Sequence, residues 1–83
     1  MTDSNVTAEQ LARTTMQAED PATALRALTE LRRELDAAER ELVKRALASG
    51  ASWSHIARSL GVSKQAAHRK HRHLAAALQQ TAA

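Results

Sequence analysis

One stretch decides the fold: Ser52-Trp-Ser-His-Ile-Ala-Arg-Ser-Leu-Gly-Val-Ser-Lys-Gln-Ala-Ala-His-Arg-Lys-His-Arg-His-Leu74. Its first part repeats apolar residues at helical spacing, and Ser52 can cap the helix that this spacing predicts. These apolar residues are Trp53, Ile56, Ala57 and Leu60. Gly61 should end the helix, because a left-handed C-cap costs little without a Cβ atom. We expect Val62 to plug the turn and Ser63 to cap a second helix.

Two short helices joined in this way form a helix-turn-helix unit, which places its second helix in the major groove of DNA. The stretch also resembles the helix-turn-helix domains of bacterial sigma-factor region 4 and of small bacterial transcriptional regulators. Ala57 matches their small mid-helix residue, Gly61 matches their turn glycine, and Leu60 and Val62 match the flanking core positions. The run Gly-Val-Ser-Lys-Gln-Ala-Ala-His68 is particularly similar to the small regulators of GC-rich bacteria. The resemblance covers about 23 of the 83 residues.

The second helix departs from the resembled domains at two positions. Ala67 and Lys70 stand where those domains usually carry bulky aliphatic residues. We therefore expect this helix, from Ser63 to about Leu78, to pack through Ala67, His71 and Leu74 on a slightly rotated face.

The resemblance implies that the first residues of the second helix contact base edges. By position, the predicted base readers are Ser63, Lys64, Gln65 and His68. In the major groove Gln can pair with adenine and Lys with guanine. Hydroxyl groups, helix N-termini and guanidinium groups are typical phosphate partners. The predicted phosphate contacts are Arg69 and Arg72 on the second helix and Ser52 and Ser54 at the start of the first.

The distribution of charge indicates that the same region is the surface that binds a polyanion. The net charge is only +3, but residues 51–83 contain five Lys or Arg, four His and no Asp or Glu. Residues 1–50 hold all nine acids against seven Lys or Arg. A basic, acid-free segment that coincides with the predicted helix-turn-helix is typical of a surface that binds a polyanion. The alternative is a solvated tail that happens to be basic.

The remaining sequence predicts an all-α chain of four helices in three segments. Residues 1–20 hold a polar, disordered start (residues 1–5) and a short helix of about twelve residues. Thr7 and Gln10 can form a capping box there, with Val6 and Leu11 as a hydrophobic staple. Residues 21–48 form a long helix that starts after the Asp20-Pro21 pair, and residues 49–83 form the helix-turn-helix.

The long helix carries an apolar stripe with the 4-3-4-3-4 spacing of a coiled coil. The stripe consists of Ala24, Leu28, Leu31, Leu35, Ala38 and Leu42. The predicted homodimer interface consists of Leu28, Leu31, Leu35 and Leu42. The alternatives are an intramolecular face, or a helix split near Asp36. A parallel pair would bring Glu34 near Glu39 of the other chain, whereas an antiparallel pair would bring Arg32 near Glu39, so antiparallel packing is favoured.

Other functions have less support in the sequence. His68, His71 and His73 do not converge on one helix face with a carboxylate, so no metal site is predicted. No nucleophile elbow or glycine-rich phosphate loop is present, so we predict no enzyme, cofactor or small-molecule ligand. Trp53 has apolar neighbours at helical spacing, which favours a core anchor over a base-stacking platform. No cysteine, membrane span or signal peptide is evident, which predicts a cytoplasmic, nucleoid-associated protein.

The leading interpretation is a sequence-specific double-stranded DNA-binding protein, in the form of a small dimeric transcriptional regulator. Two alternatives remain open. One is a protein-interaction adaptor or antitoxin-like module whose basic helix binds an acidic protein. The other is a nucleoid-associated protein that binds DNA without base preference.

Overall fold

The computed structural model describes residues 7–82, with side chains through residue 78. This part of the chain contains four helices, α1 (Ala8–Gln17), α2 (Pro21–Ala48), α3 (Trp53–Leu60) and α4 (Lys64–Ala82), and no strand. The predicted all-α class is therefore confirmed. The predicted disordered start lies outside the described residues. Helix α1 is ten residues long rather than twelve, and α4 continues four residues beyond its predicted end at Leu78.

Local hydrogen bonds explain where α1 and α2 begin. Thr7 Oγ1 accepts the N–H of Gln10 at 3.1 Å, and Gln10 Oε1 accepts the N–H of Thr7 at 3.0 Å. This is the predicted capping box, which satisfies two otherwise unpaired donors. Its predicted staple partner, Val6, lies outside the described residues. Before α2, Asp20 Oδ2 accepts the N–H of Thr23 at 3.2 Å.

Helix α2 is continuous through Asp36, so the alternative in which it splits there is wrong. The chain divides into two compact units, residues 1–38 and 39–83, and the boundary falls within α2. We call their described parts the N-terminal unit (7–38) and the C-terminal unit (39–82).

The C-terminal unit has a hydrophobic core. Val43 from α2, Ile56 from α3 and Leu74 from α4 form its buried centre. Partly buried apolar residues pack against this centre: Ala46, Leu47, Ala51 and Trp53. Trp53 is therefore a core residue, as its spacing predicted. Ala57 of α3 and Ala67 of α4 are also buried, which lets these two helices pack against each other.

The N-terminal unit buries much less. Its fully buried hydrophobic side chains are Leu11 of α1 and Ala27 of α2. The first half of the apolar stripe, Ala24, Leu28 and Leu31, is partly buried, whereas the second half is exposed. Leu35 of this unit and Leu42 of the C-terminal unit are each 56% exposed. None of the helices within residues 7–82 combines the length and the apolar character that a membrane-spanning segment needs.

Candidate DNA-binding surface

Three local features define the start of α3 and the turn between α3 and α4. Ser52 Oγ accepts the N–H of His55 at 3.1 Å, and Ser63 Oγ accepts the N–H of Ala66 at 3.0 Å. Gly61 has φ +73°, the left-handed C-cap that the sequence predicts. Val62, by contrast, is 45% exposed, so the prediction that it plugs the turn is wrong. Gly61 ends α3, Ser63 caps α4, and between them the N–H of Val62 donates to the carbonyl of Ala57 at 3.0 Å.

Helix α4 packs through the face predicted from the sequence. Ala67, His71 and Leu74 are all buried. On the opposite face, Gln65, Arg69 and Arg72 are separated by four and three residues and are exposed. We call this exposed line of three side chains the α4 outer stripe. It places one amide and two guanidinium groups on a single side of the helix.

His68 lies on one flank of the α4 outer stripe and touches α3. Its ring is edge-on to the indole of Trp53, with ring centroids 5.1 Å apart and planes at 81°. Edge-to-face contact is a favourable arrangement for aromatic rings. His68 is nevertheless exposed, and it therefore lies beside the first turn of α3, where Ser52 and Ser54 are also exposed.

The other predicted site residues, Ser63 and Lys64, are also exposed, so none of the eight is buried. Arg58, Lys64, Arg69 and Arg72 are exposed, and none of them forms an ion pair with a carboxylate within the described residues. Lys70 differs, because its Nζ lies 3.3 Å from Glu39 Oε2 of α2. The surface of α3 and α4 is therefore cationic, with one lysine on its flank already neutralised.

Sequence reasoning missed a buried polar contact behind this surface. His71 is only 1% exposed, and its Nε2 lies 2.6 Å from Glu39 Oε2. The hydrogen bond with His71 is the main cause that holds the pKa of Glu39 below its usual range, and Lys70 adds to it. An ionised carboxylate only accepts hydrogen bonds, so Nε2 is the donor. The other ring nitrogen, Nδ1, is buried and makes no hydrogen bond within the described residues.

Because of this contact, Glu39 no longer supports the prediction that the α2 helices of two chains pair in an antiparallel arrangement. That prediction used Glu39 as an exposed charge beside the apolar stripe, free to meet Arg32 of a second chain. The carboxylate instead contacts His71 and Lys70 on α4 of its own chain. A local reading of α2 could not reveal this, since the partner lies 32 residues further along the chain.

Within residues 7–82, no group of three or more His, Cys, Asp or Glu side chains could hold a metal ion. No family model, curated protein or solved structure matches the chain.

Proposed function

We propose that the protein binds double-stranded DNA sequence-specifically, with α3 and α4 acting as a helix-turn-helix and α4 entering the major groove. The observation that carries this proposal is the α4 outer stripe on an acid-free pair of helices. Gln65, Arg69 and Arg72 project from the face opposite the packed residues. Because the rest of α4 is anchored to the core, this face is the one available to a groove.

The position of each side chain along α4 suggests its role. Gln65 is in the first turn, where recognition helices contact base edges, and its amide can pair with adenine N6 and N7. Arg69 and Arg72 lie one and two turns further, where the DNA backbone should pass, and they would hold phosphates. Lys64 and His68 lie on the flank nearest α3 and would approach the same groove edge.

The serine caps are compatible with a role at phosphates. Ser52 and Ser63 use their hydroxyl oxygens as acceptors for helix N–H groups. A hydroxyl that accepts in this way still has its own proton to donate. Ser52 and Ser54 at the start of α3 can therefore offer O–H groups to a phosphate beside the first helix, which crosses the backbone in such complexes.

A second copy of the chain is the partner that we propose for the exposed half of the apolar stripe. Leu35 and Leu42 are each 56% exposed and are seven residues apart on α2, the repeat of a coiled coil. Pairing two copies there would bury these leucines and present two α4 helices. A two-fold dimer would then recognise half-sites centred about 10–10.5 base pairs, or a multiple, apart. This is the architecture of a small transcriptional regulator.

The test is selection of bound fragments from random duplex DNA, using the full-length chain and several salt concentrations. The proposal predicts enrichment of a motif with two related half-sites and affinity that falls as salt rises. Salt-dependent binding without any enriched motif would indicate a nucleoid-associated protein without base preference. Absence of salt-dependent binding would contradict the proposal and favour the interaction module.

The matched variants are Gln65→Ala and Arg72→Ala on the selected site and on a scrambled one. Gln65→Ala should relax preference at one base pair by about 1–3 kcal/mol and leave the salt dependence unchanged. Arg72→Ala should weaken binding to both DNAs alike. The reverse pattern would show that α4 is rotated in the groove relative to our assignment.

A further inference from the structure

The apolar part of the buried face of α4 is small. Ala67, His71 and Leu74 are the buried residues in the described part of this helix, and Leu74 is the one large apolar side chain among them. A face with one large apolar side chain fixes the rotation of a helix about its axis less tightly than a face with several, because cores with little detailed complementarity lose uniqueness before stability.

The contact between His71 and Glu39 is the directional element in this packing. Glu39 precedes the core residue Val43 by one helical turn of α2, so both belong to the packed side of that helix. Its carboxylate accepts from the buried Nε2 at 2.6 Å, a short, charge-assisted bond with a narrow range of allowed angles. A rotation of α4 much smaller than one residue position, which is about 100°, would already lengthen or bend this bond while His71 stays buried, and a buried donor with a poor partner is costly.

The contact of buried His71 with the partly exposed Glu39 is not the arrangement that would stabilise the fold most. Nδ1 of His71 is buried without a partner, which is costly, and an apolar side chain at this position would avoid that cost. Replacement of buried polar pairs by apolar residues is often neutral or stabilising, whereas the pair can select one packing arrangement among several.

We propose that Glu39 is a positioning residue for α4, which acts through His71 to fix the rotation of this helix. With the contact in place, the α4 outer stripe faces outward and His68 lies against Trp53. The consequence for DNA rests on the proposed function: when the rotation of α4 is fixed, Gln65 can contact one particular base pair. Lys70, held at 3.3 Å by the same carboxylate oxygen, stays on the flank away from the outer stripe.

The decisive variant is Glu39→Gln combined with His71→Ala, compared with Glu39→Gln alone and with Glu41→Gln. The single change at Glu39 keeps an oxygen that can accept from Nε2, whereas the double variant removes the contact without burying an unpaired charge. Glu41 is an exposed acid of the same helix that pairs with Lys44 at 3.7 Å, so its replacement controls for the lost charge. All chains are full length.

Two measurements separate positioning from a purely structural role. The first is nuclear magnetic resonance of the free protein, which reports the contact of Trp53 with His68 through ring-current shifts and cross-peaks. The double variant should remain folded but lose those cross-peaks, whereas both single variants should keep them. The second is DNA preference at the base pair addressed by Gln65, which should fall about tenfold in the double variant at an unchanged salt slope.

Each outcome decides the proposal. A double variant that keeps the cross-peaks, or one that no longer folds, would overturn it, because the pair would then be dispensable for orientation or required for stability itself. A parent that binds no DNA would refute the proposed function alone, since the resonance measurement still tests the rotation of α4.

Discussion

The two units of the chain differ in how many hydrophobic side chains they bury. The C-terminal unit brings three helices around Val43, Ile56 and Leu74, and adds a buried hydrogen bond between His71 and Glu39. The N-terminal unit fully buries only two hydrophobic side chains, and large apolar residues such as Met16 stay exposed. The charge differs as well, since the N-terminal unit contains six Asp or Glu and four Lys or Arg, whereas the C-terminal unit contains two and eight.

The difference shows which part of the chain is complete as a packed structure. The C-terminal unit has a core of its own behind a cationic outer surface, which is what a DNA-contacting module requires. The N-terminal unit fully buries only Leu11 and Ala27, and it leaves Met16, Leu25 and Leu35 exposed. Association of two chains through Leu35 and Leu42 would cover part of the exposed apolar surface and add stability, because small cores rarely provide more than a few kcal/mol.

The largest effect should come from Trp53→Ala, which tests the C-terminal core. Trp53 packs against the Val43, Ile56 and Leu74 cluster, and loss of a core aromatic costs about 3–5 kcal/mol. We expect about 3 kcal/mol, because this side chain is only partly buried, and that is much of the stability of a small domain. Thermal denaturation followed by circular dichroism measures it, with Met16→Ala as the control on an exposed apolar residue. Equal melting of the two variants would show that Trp53 does not anchor this core.

The second effect concerns the exposed half of the apolar stripe. Leu35→Glu together with Leu42→Glu should abolish dimerisation, because the charges would be buried unpaired between two copies. The folded monomer should tolerate both changes, since each leucine is 56% exposed. Sedimentation at micromolar concentration is the measurement, and Leu25→Glu is the control, as Leu25 is exposed but lies off the stripe. A parent chain that is monomeric under these conditions would rule out the dimer.

Hydrogen exchange should separate the two units without any mutation. Helix α1 has ten residues and α3 has eight, so length alone would favour protection of α1. Burial predicts the opposite, because α3 contributes Ile56 and Ala57 to the interior whereas α1 contributes Leu11. We expect faster exchange in residues 8–17 of the N-terminal unit than in residues 39–47 and 53–60 of the C-terminal unit. Equal protection would mean that α1 belongs to a cooperative core.

The smallest expected effect is a change in the free energy of unfolding at low pH. The pKa of Glu39 is lowered mainly by its hydrogen bond with His71, from the usual value of 4.5. Its stabilising contribution is therefore complete above pH 4.5 and is lost as the pH falls through the lowered value. Glu39→Gln should flatten the stability profile below pH 4.5, and Glu41→Gln should leave it unchanged. Identical profiles for all three chains would show that the contact does not stabilise the folded state.

Local chemistry made much of the fold predictable. Ser52, Gly61 and Ser63 act within three or four residues of themselves, and their spacing revealed the turn between α3 and α4. The prediction of the inward face of α4 was also correct, because Ala67, His71 and Leu74 follow helical periodicity. The partner of His71 was not predictable, because Glu39 appears from its neighbours to be one of several surface charges on α2. Val62 was misjudged because an apolar residue in a turn need not be buried when glycine and serine caps already define it.

The measurement that tests the central claim most directly is a salt titration of duplex DNA binding by three chains: the parent, Arg72→Ala and Arg32→Ala. Both substitutions remove one exposed arginine, the first from the C-terminal unit and the second from the N-terminal unit. If α4 is the DNA-binding helix, Arg72→Ala lowers the slope of log K against log salt by about one, and Arg32→Ala leaves it unchanged. Equal slopes for all three chains, or no binding by the parent, would contradict the account.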